Sequence, residues 1–119
     1  MDAEGERAAS PEDLSRLIVA RLNAGDVEGL VALYEPDAAL ALPNGEVANG
    51  AEAIRGAYEE LLAERPTFEP GVLRPTLRAG ELALTSTRLT DGNVTIEVAR
   101  QQQDGTWLWV IDQPSFLSG

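Results

Sequence analysis

Apolar residues in the first half of the chain recur at intervals of three and four residues, the spacing that places side chains on one face of a helix. Ser10-Pro11 is a helix-start signal, because Ser caps a helix and Pro fits its first turn. The pattern predicts a helix from there to residue 23, a short second helix over 26–34 and a third over 51–64. Their apolar stripes comprise Leu14, Leu17, Ile18 and Leu22, then Leu30, Leu33 and Tyr34, then Ile54, Tyr58, Leu61 and Leu62.

From residue 68 onward the pattern favours strands, at 72–77, 81–89, 93–103 and 106–111. A shorter pair of strands, at 38–43 and 46–48, flanks the turn dipeptide Asn44-Gly45. Helices that are segregated from a meander of strands predict an α+β fold, with three N-terminal helices packed on a curved, mostly antiparallel sheet. We expect residues 1–10 to form a disordered tail and residues 11–119 to form a single domain.

The composition restricts the chemistry that the chain can perform. The sequence contains no Cys, His or Lys, and its nine basic residues are all Arg. This excludes a disulfide, a thiolate or histidine metal site, a Ser-His-Asp triad and a lysine Schiff base. Any catalysis must therefore use Asp, Glu, Tyr, Arg, hydroxyl groups or water, and we expect neither a metal nor a cofactor.

The formal net charge of −11 argues against nucleic acid and anionic membranes as partners. No apolar run approaches the roughly 20 residues of a membrane span. The polar N-terminal stretch also lacks the apolar segment of a secretory signal. We therefore expect a cytoplasmic protein whose charge chiefly gives solubility.

Three segments resemble ketosteroid isomerase-like and SnoaL-like proteins of the nuclear transport factor 2-like superfamily. They are residues 22–26 (LNAGD) with 30–38 (LVALYEPDA), residues 50–55 (GAEAIR), and residues 104–107 (DGTW) with 110–112 (VID). The resemblance covers nearly the whole chain past the tail and implies a cone-shaped fold that commonly dimerises through its sheet. It implies no single activity, because this scaffold includes isomerases, cyclases, epoxide hydrolases and non-catalytic binding proteins.

The chain departs from true ketosteroid isomerases at the positions that perform their chemistry. The position of their catalytic Asp falls on Leu42, and that of their first oxyanion-hole Tyr falls on Ile18. The position of their second oxyanion-hole acid falls near Glu97 or Ala99, depending on a two-residue gap. Because Leu cannot abstract a proton and Ile cannot donate to an enolate, we do not expect steroid isomerase activity.

The register of the last three long strands follows if Asp91-Gly92 and Asp104-Gly105 are two-residue loops. Ser86 then pairs with Glu97, and Glu97 pairs with Asp112. One face would present Leu82, Leu84, Ser86, Arg88, Thr95, Glu97, Ala99, Gln101, Leu108, Val110 and Asp112. The other would present Thr85, Thr87, Leu89, Val94, Ile96, Val98, Arg100, Trp107, Trp109 and Ile111. A one-residue bulge in either hairpin would move Glu97 or Asp112 to the opposite face.

Glu97 and Asp112 are the candidate catalytic pair, with Arg88 on a diagonal. Carboxylates opposed on adjacent strands repel each other, and in an enclosed site one pKa rises, which gives a neutral acid beside an ionised base. The predicted ligand-binding residues are Ile18, Leu42, Tyr58, Leu84, Ser86 and Val110. The alternative interpretation is a solvated acidic edge that Arg88 partly neutralises.

The face opposite the pair is rich in β-branched and aromatic residues, and helices cover only one side of a single sheet. We therefore expect a homodimer that packs sheet against sheet about a two-fold axis. The alternative is that Trp107 and Trp109 belong to the core near the rim of the cone.

Two functions of different classes are compatible with these patterns. The first is a cofactor-free isomerase, cyclase or hydrolase that binds a small hydrophobic, oxygenated molecule and uses carboxylate acid–base chemistry. The second is a non-catalytic module that binds a small hydrophobic molecule or only dimerises, and the mostly apolar lining favours it.

Overall fold

The computed structural model describes residues 6–114. Within that range the α+β class predicted from the sequence is confirmed. The helices are α1 (Pro11–Ala24), α2 (Val27–Val31) and α3 (Ala51–Leu61), and α3 continues as a 3₁₀ turn (Leu62–Glu64). The strands are β1 (Tyr34–Ala41), β2 (Val47–Asn49), β3 (Val72–Leu73), β4 (Leu77–Ala79), β5 (Leu82–Arg88), β6 (Val94–Gln101) and β7 (Trp107–Gln113).

The strands form one sheet in the order β2-β1-β7-β6-β5-β3, with β4 also paired to β5. The β1–β7 pair is parallel, and the other pairs in the described residues are antiparallel. Pro75 lies between β3 and β4, so the single strand predicted at 72–77 is in fact two short ones. Helix α1 packs against β5 and β7, while α3 packs against β1 and β2. The helices therefore cover one side of the sheet, here called the inner face.

The second predicted helix ends earlier than the sequence suggested. It stops at Val31, and Tyr34 already pairs with Trp109 as the first residue of β1. Apolar spacing over so few residues fits a helix and a strand equally well, and the pairing with β7 decides between them.

Three of the hairpins, β1–β2, β5–β6 and β6–β7, close with a three-residue loop rather than the two-residue loop predicted for them. In the last hairpin the Gln102 amide donates to the Thr106 carbonyl at 2.7 Å, and the Gly105 amide donates to the Gln102 carbonyl at 2.9 Å. The same pair of bonds closes the other two loops. Each loop ends on a glycine with φ between 87° and 92°, which is the left-handed residue of this turn type: Gly45, Gly92 and Gly105.

The longer loop shifts the β5–β6 register by one residue. Thr85 pairs with Glu97, so the predicted Ser86–Glu97 pairing is wrong. Next to its loop, the β6–β7 register is also one residue from the predicted register, since Gln101 lies opposite Trp107. An irregularity between Val98 and Ala99 then restores the predicted register. The predicted pairing of Glu97 with Asp112 is therefore confirmed, because the bulge cancels the effect of the longer turn.

Two buried rows of side chains cross the inner face. In one, the register joins Leu40, Asp112, Glu97 and Thr85; in the other it joins Tyr34, Trp109, Ala99 and Ala83. All eight are buried. Trp107 is buried as well, so the prediction that the tryptophans lie on the face opposite Glu97 is wrong, and the alternative that they belong to the core is correct.

The other side of the sheet, here called the outer face, is apolar and partly exposed. The register joins Ile111, Val98, Leu84 and Leu77 in one row across four strands. Leu77 is 65% exposed and Ile111 is 51% exposed. A shallow groove of about 250 Å³ lies beside this row, lined by residues 77–79, 82–84 and 98.

The N-terminal segment packs on the domain before α1 begins. Ala8 is buried, and its carbonyl oxygen accepts the Trp107 amide at 3.0 Å. The Glu6 carbonyl accepts a hydrogen bond from the buried Arg21 guanidinium. Of the predicted tail, residues 1–5 lie outside the described range, and residues 6–10 have fixed contacts.

Candidate functional site

Glu97 and Asp112 lie opposite each other on β6 and β7, both facing the interior. Glu97 is 6% exposed and Asp112 is 3% exposed. Within residues 6–114, none of the ion pairs includes either carboxylate. Two buried acids without a cation are costly when both are ionised, so this arrangement favours the retention of a proton by one of them.

Tyrosine hydroxyls contact the Asp112 end of the pair. The Tyr34 hydroxyl donates to Asp112 Oδ2 at 2.5 Å, and the Tyr58 and Tyr34 hydroxyl oxygens are also 2.5 Å apart. Tyr34 reaches the interior from the start of β1, and Tyr58 from the buried face of α3. A chain of two phenols therefore ends on one carboxyl oxygen and leaves Oδ1 for other partners.

Threonine hydroxyls support the Glu97 end. Thr85 Oγ1 donates to Glu97 Oε1 at 2.7 Å from the paired position on β5. The Thr95 hydroxyl, two residues before Glu97 on the same face, also lowers the pKa of the Glu97 carboxyl. Each acid of the pair thus has its own neutral donors, which fix the side chain without neutralising its charge.

Burial raises the pKa of both acids above their ordinary values. For Asp112, desolvation is the largest cause, the nearby Glu97 charge adds to it and the Tyr34 hydrogen bond opposes it, which places the pKa at about 8. For Glu97, desolvation raises the pKa while the nearby Thr95 and Thr85 hydroxyls oppose the rise. Because the two groups interact, they titrate as a unit that retains a proton near neutral pH.

The one-residue register shift separates most of the predicted β5 and β7 site residues from the pair. Arg88 is exposed and pairs with Val94, and Ser86 pairs with Ile96, on the outer face. Leu84 lies in the apolar outer row. Val110 is half-buried at the irregularity between the Ala99–Trp109 and Val98–Ile111 pairs. The structure therefore does not bring these four residues to the Glu97–Asp112 pair.

The predicted site residues outside those strands lie on the helix-covered side. Ile18 and Leu42 are half-buried and pack against the core. Tyr58, also a predicted ligand-binding residue, is hydrogen-bonded to Tyr34 and through it to Asp112.

Tyr34, Thr85 and Trp109 were missed as site residues. The apolar spacing places Tyr34 on a helix stripe, and a two-residue loop places Thr85 and Trp109 on the wrong face. The signal that could have found Thr85 and Trp109 is the Gly at the end of each turn, which also fits a three-residue loop.

A groove of about 690 Å³ opens between the ends of α1 and α3. Its lining comprises residues 22–25, 27, 59, 62 and 65–67. Leu22, Val27 and Leu62 line it and also pack against the core. Tyr58 precedes Leu62 by one turn of the same helix, so the phenol chain begins one helical turn from the lining of this groove.

The SnoaL-like domain model matches residues 15–113, which include both acids and both tyrosines of the site. The chain belongs to the SnoaL-like domain family. No curated protein matches this SnoaL-like domain.

Solved structures show the same fold at low sequence identity. A ketosteroid isomerase-like protein from Erwinia carotovora atroseptica is 17% identical, with a TM-score of 0.70, covering 91% of this chain and 94% of its own. A nuclear transport factor 2-like protein with a cystatin-like fold from Novosphingobium aromaticivorans is 19% identical, with a TM-score of 0.62, covering 90% and 79%. A protein from Catenulispora acidiphila, solved in complex with S-DNPA, is 18% identical, with a TM-score of 0.63, covering 85% and 86%.

These likenesses establish the cystatin-like, nuclear transport factor 2-like fold of the SnoaL-like domain. In the described part of the chain, the helices are too short or too polar to cross a membrane.

Proposed function

We propose that this SnoaL-like domain binds a small hydrophobic, oxygenated molecule and transfers protons on it through the Glu97–Asp112 pair, without a cofactor. The reaction class is isomerisation, cyclisation or hydrolysis. The observation that supports it is the placement of two acids opposite each other in the interior, each with neutral hydroxyl donors and neither in an ion pair among residues 6–114.

The two acids have different parts in this proposal. Asp112 holds the proton of the pair, because its pKa of about 8 keeps it neutral at physiological pH. Tyr34 occupies Oδ2, so the acidic proton is on Oδ1 and is available to a ligand. Glu97 accepts a proton from the ligand as the base, and the raised pKa of its carboxylate increases its basicity.

The groove between α1 and α3 is the proposed entrance. Its lining includes the apolar side chains of Leu22, Val27 and Leu62, which suits a hydrophobic ligand. The ligand would displace or part the half-buried side chains at the groove floor to reach Tyr58 and the acids beyond it.

Native mass spectrometry of the gently purified protein, followed by extraction of any bound molecule, is the first test. We expect an apolar, oxygenated adduct that the wild type converts, with turnover lost in Glu97→Gln. Glu60→Gln, which changes an exposed glutamate on α3 instead, is the matched control and keeps full turnover. An adduct that Glu97→Gln converts as fast as the wild type contradicts the catalytic assignment.

The second candidate is a non-catalytic binding module. It is favoured because Leu42 and Ile18 stand at the positions where ketosteroid isomerases have their catalytic Asp and their first oxyanion-hole Tyr. Under this alternative Glu97→Gln binds the extracted molecule as tightly as the wild type or more tightly, because a neutral side chain costs less to desolvate. The wild type then releases the molecule unchanged. In either case we propose that a second copy of the chain is the partner on the outer face.

A further inference from the structure

Trp109 has a hydrogen-bond donor that nothing in the described residues satisfies. The side chain on β7 is 1% exposed, and its indole Nε1 is buried without an acceptor. A buried donor without a partner destabilises a folded protein by roughly 1–3 kcal/mol. Native interiors pair such groups in the large majority of cases, so the free indole N–H indicates an acceptor that comes from outside residues 6–114.

The position of Trp109 connects it to the acidic pair. Its ring centroid lies 5.6 Å from that of Tyr34, whose hydroxyl donates to Asp112. Trp109 and Asp112 belong to the two adjacent inner rows, separated only by the irregularity at Val110. Tyr34 therefore connects the two groups, because its ring contacts the indole and its hydroxyl bonds the Asp112 carboxyl.

Neither the ring that packs on Trp109 nor the residue paired with it supplies an acceptor for the indole N–H. The Tyr34 hydroxyl is bonded to both Asp112 and Tyr58, so its partners are accounted for. The residue opposite Trp109 on β6 is Ala99, which has no polar side chain and is fully buried. An indole N–H is a donor only, so the missing partner must present an acceptor.

We propose that the indole N–H of Trp109 is a positioning group that binds an acceptor oxygen of the carbonyl class on the ligand. This inference rests on the proposed ligand site and specifies its chemistry. A ligand with a carbonyl oxygen gains a hydrogen bond that a hydrocarbon of the same shape does not, which is worth about tenfold in affinity. Trp109 then orients the ligand while Asp112 and Glu97 exchange protons with it.

The test uses two bicyclic probes of nearly equal shape, 1-tetralone and tetralin, which differ in one carbonyl oxygen. The chain has two tryptophans, so a proton–nitrogen correlation spectrum contains two indole signals, and Trp107→Phe assigns them. We expect 1-tetralone to move the Trp109 indole proton downfield and tetralin to leave it in place. We also expect wild type and Trp107→Phe to bind 1-tetralone about tenfold more tightly than tetralin.

Trp109→Phe removes the donor and keeps an aromatic ring, and it should bind the two probes with equal affinity. Trp107 is the matched control, because it is equally buried on the same strand but contacts the Arg78 guanidinium. The measurement on Trp107→Phe leaves Trp109 intact, so the proposal stays testable even if Trp109→Phe does not fold.

The outcomes separate this inference from the function on which it rests. Equal binding of both probes by the wild type, with an unmoved Trp109 signal, overturns the donor assignment and leaves the apolar site standing. A long-lived water that keeps its contact with the Trp109 N–H in the presence of 1-tetralone also overturns it. Failure of both probes to bind up to their solubility contradicts the proposed ligand site itself.

Discussion

At the scale of single residues, the chemistry of this domain depends on what surrounds two carboxyl groups. Glu97 and Asp112 could be recognised in the sequence as a pair, but not as a buried pair. Their burial results from the row in which they lie, between Leu40 on β1 and Thr85 on β5, beneath the helices. The alternative of a solvated acidic edge neutralised by Arg88 is wrong, because Arg88 is on the outer face.

Stability should fall as pH rises from about 4 to 8. The unfolded chain releases the Asp112 proton near 3.8, whereas the folded protein retains it to about 8. Between those values the folded state binds more protons than the unfolded state, so deprotonation favours unfolding by up to about 1.4 kcal/mol per pH unit. Asp112→Asn should flatten this slope, as measured by urea unfolding at several pH values.

Asp37→Asn is the control for that experiment, because it changes an exposed aspartate on the neighbouring strand β1. Its stability should follow the wild-type pH slope. Parallel slopes for the wild type and Asp112→Asn would mean that Asp112 is ionised in the folded protein at neutral pH.

Tyr34 and Tyr58 should affect the pKa of Asp112 unequally. The Tyr34 hydrogen bond stabilises the carboxylate and lowers the pKa, so Tyr34→Phe should raise it further, by roughly one unit. Tyr58→Phe removes a bond to Tyr34 rather than to the carboxyl and should have a smaller effect. Carbon-13 chemical shifts of the Asp112 carboxyl across a pH titration give the pKa in both variants. A larger pKa change in Tyr58→Phe than in Tyr34→Phe would contradict the assignment of Tyr34 as the direct donor to Asp112.

At the scale of secondary-structure elements, the turn residues decide which side chains share a face. The β1–β2, β5–β6 and β6–β7 loops have three residues that end on a left-handed glycine, and Asn-Gly or Asp-Gly occurs in this turn as well as in a two-residue loop. The sequence therefore located these three turns but did not decide their length. The Glu97–Asp112 pairing is correct only because the irregularity in β7 offsets the longer loop. No residue pattern in the sequence predicts that irregularity.

A pair of glycine substitutions tests the importance of the turn conformation. Gly92→Ala places a Cβ at φ 92°, and we expect it to destabilise the domain by about 1–2 kcal/mol. Gly56 lies inside α3, where a Cβ meets nothing within 4 Å, so Gly56→Ala should stabilise the domain by about 0.5–1 kcal/mol. Thermal unfolding of both variants measures whether each substitution raises or lowers the free energy of unfolding. An unchanged free energy of unfolding in Gly92→Ala would mean that the loop adopts another conformation without cost.

At the scale of the whole molecule, the helices leave one side of the sheet uncovered. The observed register places both tryptophans in the core rather than on the outer face, yet the outer face remains apolar without them. The row of Leu77, Leu84, Val98 and Ile111 crosses four strands, and exposed Val72 and Leu82 extend it. This row is the surface on which we propose that a second copy packs, because two copies related by a two-fold axis would bury the same row on both.

Charge on the outer face should therefore break a dimer without unfolding the chain. We expect the wild type to sediment as a dimer and Leu77→Glu to sediment as a monomer, because each two-fold contact would bury two new carboxylates without partners. Leu61→Glu is the matched control, since Leu61 is 47% exposed on α3, away from the sheet. Helix α3 contributes Tyr58 to the site from the other side of the sheet, so the monomeric variant should retain the raised pKa of Asp112. A wild-type monomer in analytical ultracentrifugation, or a Leu77→Glu dimer, would contradict a second copy as the occupant of the apolar row.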